Sequence, residues 1–236
     1  MPLRLLVLVG RGLRFGVKKG GFTMSSYIKN LILQGEHQQQ DFKFQVNDSR
    51  KIARTLVAFS NTDGGKLLIG VKDNGAIAGI RMEEEYHMIE AAATMYCKPE
   101  MDFAYRHWNI DGKKVLEVDV PSARIKPVYA NTENGEWVAW VRVGDQNIVA
   151  DTIQIKYWQR QKQKEGTVIR YSDNEKLLLN YLSSNPTINL DKYCRLAGIP
   201  HYQAENIIVD LMIAGLIEIR QNEHHTWFRL QDPGSV

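Results

Sequence analysis

The chain has 236 residues, 44% apolar and 24% charged, a balance that excludes a disordered or fibrous protein and leaves room for one large domain or two modest ones. No run approaches the roughly 20 apolar residues that span a bilayer. Cys97 and Cys194 stand alone, without CxxC or His-rich company, which argues against a disulfide framework or a zinc site and fits a reducing cytoplasm.

The net charge of +3 needs dissecting. Residues 1–23 hold Arg4, Arg11, Arg14, Lys18 and Lys19 and no acid, and the remainder carries 25 basic against 27 acidic residues. Any surface for a polyanion must therefore be local. The leader 1–23 reads as an upstream extension or a basic arm rather than a signal peptide. Its apolar run Leu5–Val9 is short for an h-region, and no small-residue cleavage site follows. It is expected to be disordered and to stay outside the fold, which begins at Met24.

Tyr27, Ile28, Leu31 and Ile32 recur at helical spacing up to Gly35. Asp41 to Phe44 alternates polar and apolar, a half-buried strand. Asp48 or Ser49 caps a helix carrying Ile52, Ala53, Leu56, Val57 and Ser60 on one face, and Asn61-Thr62-Asp63-Gly64-Gly65 breaks it. Leu67–Val71 reads as a buried strand, Asp73-Asn74-Gly75 as a turn and Ala76–Ile80 as a short strand. A helix over Glu83–Tyr96 follows, then strands at Phe103–Trp108, Lys114–Val120 and Trp137–Val143, and a helix from about Ala150 to Lys162 that closes a first domain, 24–160. The mixed order predicts an α+β fold with a mixed sheet.

Residues 161–170 read as a basic linker broken at Gly166. In 171–236, Ser172-x-x-Glu175 has capping-box spacing, and three helices followed by two strands predict a small winged-helix domain. Its third helix carries His201, Tyr202, Gln203 and Asn206 but also Glu205 and Asp210, with no Lys or Arg. Phosphates repel such a surface, so docking to protein is as good a reading as DNA contact.

The segment Gly35 to Lys43, then Ala58-Phe59-Ser60-Asn61-Thr62-Asp63-Gly64-Gly65 and Ile69-Gly70-Val71-Lys72-Asp73, together with Trp140-Val141-Arg142-Val143-Gly144, resembles the Schlafen AlbA_2 domain over residues 31–150. The resemblance implies an Alba-related fold and a nucleic-acid partner. It also implies, from the family's RNA endonucleases, three carboxylates that map to Glu36, Asp41 and Asp73. Asp41 stands where the family mostly has Glu. No GxxxxGK[ST] occurs, so no ATP site is expected.

Glu36, Asp41 and Asp73 would be ligands for Mg²⁺ or Mn²⁺, with Lys43, two residues from Asp41 on one strand face, as a phosphate partner. The plain alternative is an exposed ion pair of under about 1 kcal/mol. The glycine turn after Asn61 has an anion-nest reading and a conformational one, and the second is favoured. Phosphate contacts are assigned to Arg50 and Arg54, one helical turn apart, with Lys51, Lys66, Arg142 and the linker cluster. Arg142 is singled out because the family element contains it. The function expected is a cytoplasmic DNA- or RNA-binding regulator. The alternatives are a metal-dependent endoribonuclease and an interaction module that dimerises or docks a partner.

Overall fold

The computed structural model describes residues 8–9, 12–14, 24–162 and 172–232, which divide into two compact units. The first spans residues 1–124 and 128–149. In chain order it contains β1 (Leu8–Val9), β2 (Gly12–Arg14), α1 (Met24–Gln34), β3 (Gln40–Lys43), α2 (Ser49–Asn61), β4 (Gly65–Ile69) and α3 (Met82–Met95). Then come β5 (Cys97–Lys98), β6 (Ala104–Ile110), β7 (Lys113–Val120), β8 (Tyr129–Asn131), β9 (Trp137–Val138), β10 (Trp140–Val143) and β11 (Gln146–Val149).

A six-stranded sheet runs β1-β2-β6-β7-β4-β3, parallel at β2–β6 and β3–β4 and antiparallel elsewhere. The mixed α+β class is as the sequence implies. Strand alternation sends Leu67 and Ile69 of β4, with Leu116 and Val118 of β7, into a core shared with Ile52, Leu56 and Phe59 of α2 and Ile89 of α3. Leu68, Val115, Trp108 and Phe42 point the other way and pack on Ile28 of α1. The β6–β7 hairpin turns through Asp111 and Gly112 at positive φ, the geometry that matches strand twist. Two small sheets, β5-β8-β9 and the hairpin β10-β11, complete the unit.

Two expectations change here. Residues 8–9 and 12–14 of the leader are not outside the fold: β2 pairs with β6, whose outer edge would otherwise lack a partner. The rest of residues 1–23 lies outside the described residues. The strand expected over Ala76–Ile80 shrinks to a single bridge, Val71 to Ile77.

The second unit comprises residues 125–127 and 150–236. It contains α4 (Thr152–Lys162), α5 (Asp173–Ser184), α6 (Leu190–Ala197), α7 (His201–Ile213), β12 (Ile217–Gln221) and β13 (Thr226–Leu230). The capping box at Ser172 and Glu175 forms, and Gly198 ends α6 in the left-handed region. β12 and β13 pair antiparallel, and Ile188 bridges to Phe228. The helix α4, expected to close the first domain at residue 160, groups instead with the second. Ile153 joins the core of Leu178, Ile207, Leu211 and Phe228, with Tyr157 packed on it. Most of the expected linker, 163–170, lies outside the described residues. Among the described residues no helix is long and apolar enough to cross a membrane.

Candidate nucleic-acid interface

The signature residues converge on Arg142, which is 2% exposed. Its Nη2 donates to the Gln40 carbonyl at 3.1 Å and to Asp41 Oδ1 at 3.3 Å, and both Nη2 and Nε reach the His37 carbonyl at 3.4 Å. Nη1 donates to Asn147 Oδ1 at 3.0 Å, and the guanidinium lies 5.2 Å from the Phe59 ring centre. Its backbone N–H donates to Thr62 Oγ1 at 2.9 Å. Arg142 therefore ties β10 to β3 and α2 and is not available to a phosphate, contrary to the expectation.

The same is true of the glycine turn. The Asn61 amide bonds to the Val128 N–H and carbonyl, both at 2.8 Å, and to the Trp140 carbonyl at 2.9 Å. A Cβ on Gly64 (φ +74°) would meet the Val120 carbonyl at 2.8 Å, and one on Gly65 would meet Phe59. The turn is conformational.

Of the three expected carboxylates the structure brings two together. Asp41 is 3% exposed; Lys43 Nζ stands 2.8 Å from its Oδ2 as an ion pair, while Lys43 donates its hydrogen bond to the Phe42 carbonyl. Glu36 Oε1 accepts from the Phe42 N–H at 2.8 Å. Burial, together with the neighbouring Asp41 carboxyl, pushes the Glu36 carboxyl up from 4.5 to about 7. Asp73 is exposed on the turn after β4, and no three acidic, histidine or cysteine side chains among the described residues form a group that could hold a metal. Two cations already face Asp41 from Lys43 and Arg142, which opposes entry of a divalent ion. These residues do not fit Mg²⁺ or Mn²⁺.

Lys66, expected on a phosphate, is also occupied. It lies 3.1 Å from both Glu117 and Asp119. Burial lowers its pKa, but these two carboxylates more than offset that and leave it raised. Glu117, 1% exposed, also accepts from Tyr27 Oη at 2.9 Å and Trp108 Nε1 at 2.8 Å.

The remaining cations behave differently. α2 is amphipathic because Ile52, Leu56, Val57 and Phe59 face the core, and this leaves Lys51 and Arg54 exposed and Arg50 half-buried. Asp48 caps the helix by accepting from the Arg50 N–H at 2.8 Å. No acid among the described residues pairs with the side chains of Arg50, Lys51 or Arg54. Arg50 sits over the Tyr96 ring at 4.8 Å and Arg54 over Trp140 at 5.1 Å. With Asn134, Glu133 and Trp140 they line a depression of about 250 Å³. A larger groove of about 920 Å³ mixes Glu83, Glu84 and Glu85 with Arg81, Lys113 and Lys114, so it offers no field of one sign.

In the second unit the acids of α7 are neutralised from within. Lys156 of α4 pairs with Glu205, and Arg160 bonds Asp210 and Asn206. Those two cations are thus spent inside the unit.

Residues 36–151 match the family model described as Schlafen, AlbA_2. This segment is a Schlafen AlbA_2 domain. Two solved structures are similar to it. One is the DIP2311 protein from Corynebacterium diphtheriae, 21% identical with a TM-score of 0.41, over 55% of this chain and 25% of that one. The other is the N-terminal domain of a RecG-related protein from Nitrosomonas europaea, 21% identical with a TM-score of 0.40, over 56% of this chain and 96% of that one. This chain spans a quarter of the length of DIP2311. No curated protein matches it significantly.

Within the AlbA_2 domain the raised Glu36 carboxyl has a measurable consequence. Its folded pKa lies above the unfolded value, so its contribution to stability is full below about pH 4.5 and lost as pH rises through about 7. Glu36→Gln keeps an acceptor for the Phe42 N–H and cannot ionise. It is expected to leave the melting temperature at pH 5 nearly unchanged and to raise it at pH 8, flattening the profile between. An unaltered slope between pH 5 and 8 would show that the group titrating there is another.

Proposed function

We propose that the AlbA_2 domain binds nucleic acid through the exposed face of α2, with Arg50, Lys51 and Arg54 as the phosphate-contacting residues. The observation that carries this reading is a contrast. Arg142, Lys66 and Lys43 are consumed by internal acids, whereas the α2 cations lack acidic partners among the described residues and two of them rest on aromatic rings. A cation held over a ring is restrained in position without being neutralised, so its charge stays available to a phosphate. The AlbA_2 match supports a nucleic-acid partner and leaves DNA and RNA equally open.

The second unit, three helices and a terminal hairpin preceded by α4, we read as a winged helix with a docking role. α4 covers the Glu205–Asp210 face of α7, so insertion of that face into a DNA groove would first require breaking the Lys156 and Arg160 pairs. Phosphodiester hydrolysis by the three family carboxylates is not favoured, since Asp73 does not join Glu36 and Asp41.

The test is binding of the full chain to labelled structured RNA and duplex DNA. Replacing Arg50, Lys51 and Arg54 together by alanine should weaken binding roughly tenfold or more near 0.1 M salt, across sequences alike, because phosphate contacts are blind to sequence. All three side chains are at least partly solvent-accessible, so the melting temperature should hardly move. Retained affinity in the folded triple variant would place the binding surface elsewhere.

A further inference from the structure

The depression beside α2 is smaller than the roughly 300–1,000 Å³ of pockets for drug-sized ligands, and it combines three kinds of group. Arg50 and Lys51 bring charge at its edge. Arg54 lies over Trp140 with its guanidinium carbon 5.1 Å from the ring centre, so a cation and an aromatic ring line the same wall. The third is the exposed Asn134 amide, donor and acceptor at once, on the turn between β8 and β9. That turn is fixed by Thr132 N–H to Glu136 carbonyl at 2.8 Å and Gly135 N–H to Thr132 carbonyl at 3.0 Å. A second observation is that the Nε of Arg50, a residue lining the depression, is buried and has no hydrogen-bond partner among the described residues. A buried N–H without an acceptor is a cost that a ligand oxygen would relieve.

Resting on the reading of α2 as a nucleic-acid surface, we infer that this depression receives one unstacked nucleotide of a single strand. The phosphate lies on Arg50 and Lys51, the base on the Arg54–Trp140 layer, and the Asn134 amide faces the base edge. Bases stack on guanidinium planes as they do on aromatic rings. A base paired within a duplex has both faces covered by its neighbours and cannot present one to Arg54. Charge alone would draw duplex and single strand alike; the stacked layer is what separates them. Glu133 in the same lining disfavours a second phosphate beside the base.

Arg54→Lys is the variant that divides charge from stacking, because lysine keeps the charge and loses the plane. The full chain is titrated with labelled ten-nucleotide homopolymers of RNA and DNA and with a duplex of the same length. Arg54→Lys should weaken single-strand binding about tenfold, in line with the loss of one stacked base, while duplex binding and the salt slope stay as in the wild type. Equal affinity of wild type and Arg54→Lys for the homopolymers, or an equal loss on the duplex, overturns the nucleotide site. If the triple alanine variant loses binding while Arg54→Lys does not, the α2 surface survives and the nucleotide site fails. Adenosine or uridine monophosphate should displace the homopolymer only in large excess; a mononucleotide that binds as tightly as the ten-mer overturns a strand as the source.

Discussion

Arg142→Ala is expected to destabilise the first unit by about 3–5 kcal/mol, the cost of removing one member of a buried ion pair. Four acceptors lose a donor at once: the Asn147 amide oxygen, the Asp41 carboxylate, and the carbonyls of His37 and Gln40, which keep only each other's backbone N–H. Asp41 keeps only Lys43, which pairs with it without a hydrogen bond. Arg142→Lys should recover a minority of the loss, because an ammonium cannot reach in the several directions that the guanidinium spans. Urea unfolding followed by circular dichroism measures this. A variant that unfolds within about 1 kcal/mol of the wild type would mean that the Arg142 network is not what joins β10 to β3, since ordinary surface substitutions fall in that range.

Glu117→Ala should have an effect of similar size by a different route. The Glu117 carboxylate is the acceptor for Tyr27 Oη and Trp108 Nε1 and the main partner of Lys66. Its removal leaves the buried Trp108 donor and the half-buried Tyr27 hydroxyl without an acceptor and Lys66 with Asp119 alone, for a loss of about 3 kcal/mol or more. The damage should be directional. Tyr27 stands on α1, and its ring lies 5.1 Å from that of Trp108, so amide hydrogen exchange should accelerate in α1 before it does in α2. Lys66→Ala should cost less, because it leaves Glu117 with its two neutral donors. Uniform acceleration across both helices would contradict a local role for Glu117 in seating α1.

The sheet strands and helices of the first unit were legible because their periodicities are local: alternation over Asp41–Phe44, the helical stripe Ile52-Leu56-Val57, the Asp-Gly turn at 111. The short strands β5 and β8 were not, since two or three residues carry no period, and the strand expected over Trp137–Val143 is divided into β9 and β10. The end of the first domain was misplaced because composition marks a break at Gly166, whereas the packing of Ile153 and Tyr157, which assigns α4 to the second unit, is non-local.

For the site the lesson is sharper. Arg142 and Asp41 stand out by residue type, but sequence does not say that each will be the other's partner across a hundred residues. Residues that define the family pattern here hold the fold together: Asn61, Gly64, Gly65 and Arg142. Arg50 and Arg54 were visible by their helical spacing, while Tyr96 and Trp140, which hold them over their rings, had no signal linking them to α2.

The central claim, that the unpaired cations of α2 are the phosphate-contacting set, is tested most directly by the salt dependence of binding. Each phosphate neutralised contributes about 0.9 to the slope of log K against log salt on duplex DNA and about 0.7 on a single strand. Replacing Arg50, Lys51 and Arg54 by alanine should therefore reduce the magnitude of the slope by about 2.5 on a duplex, where all three cations face phosphates, and by about 1.5 on a single strand, where Arg54 lies against a base, whereas Lys66→Ala should leave it unchanged. A triple variant with the wild-type slope, or a slope reduced equally by Lys66→Ala, would contradict the account.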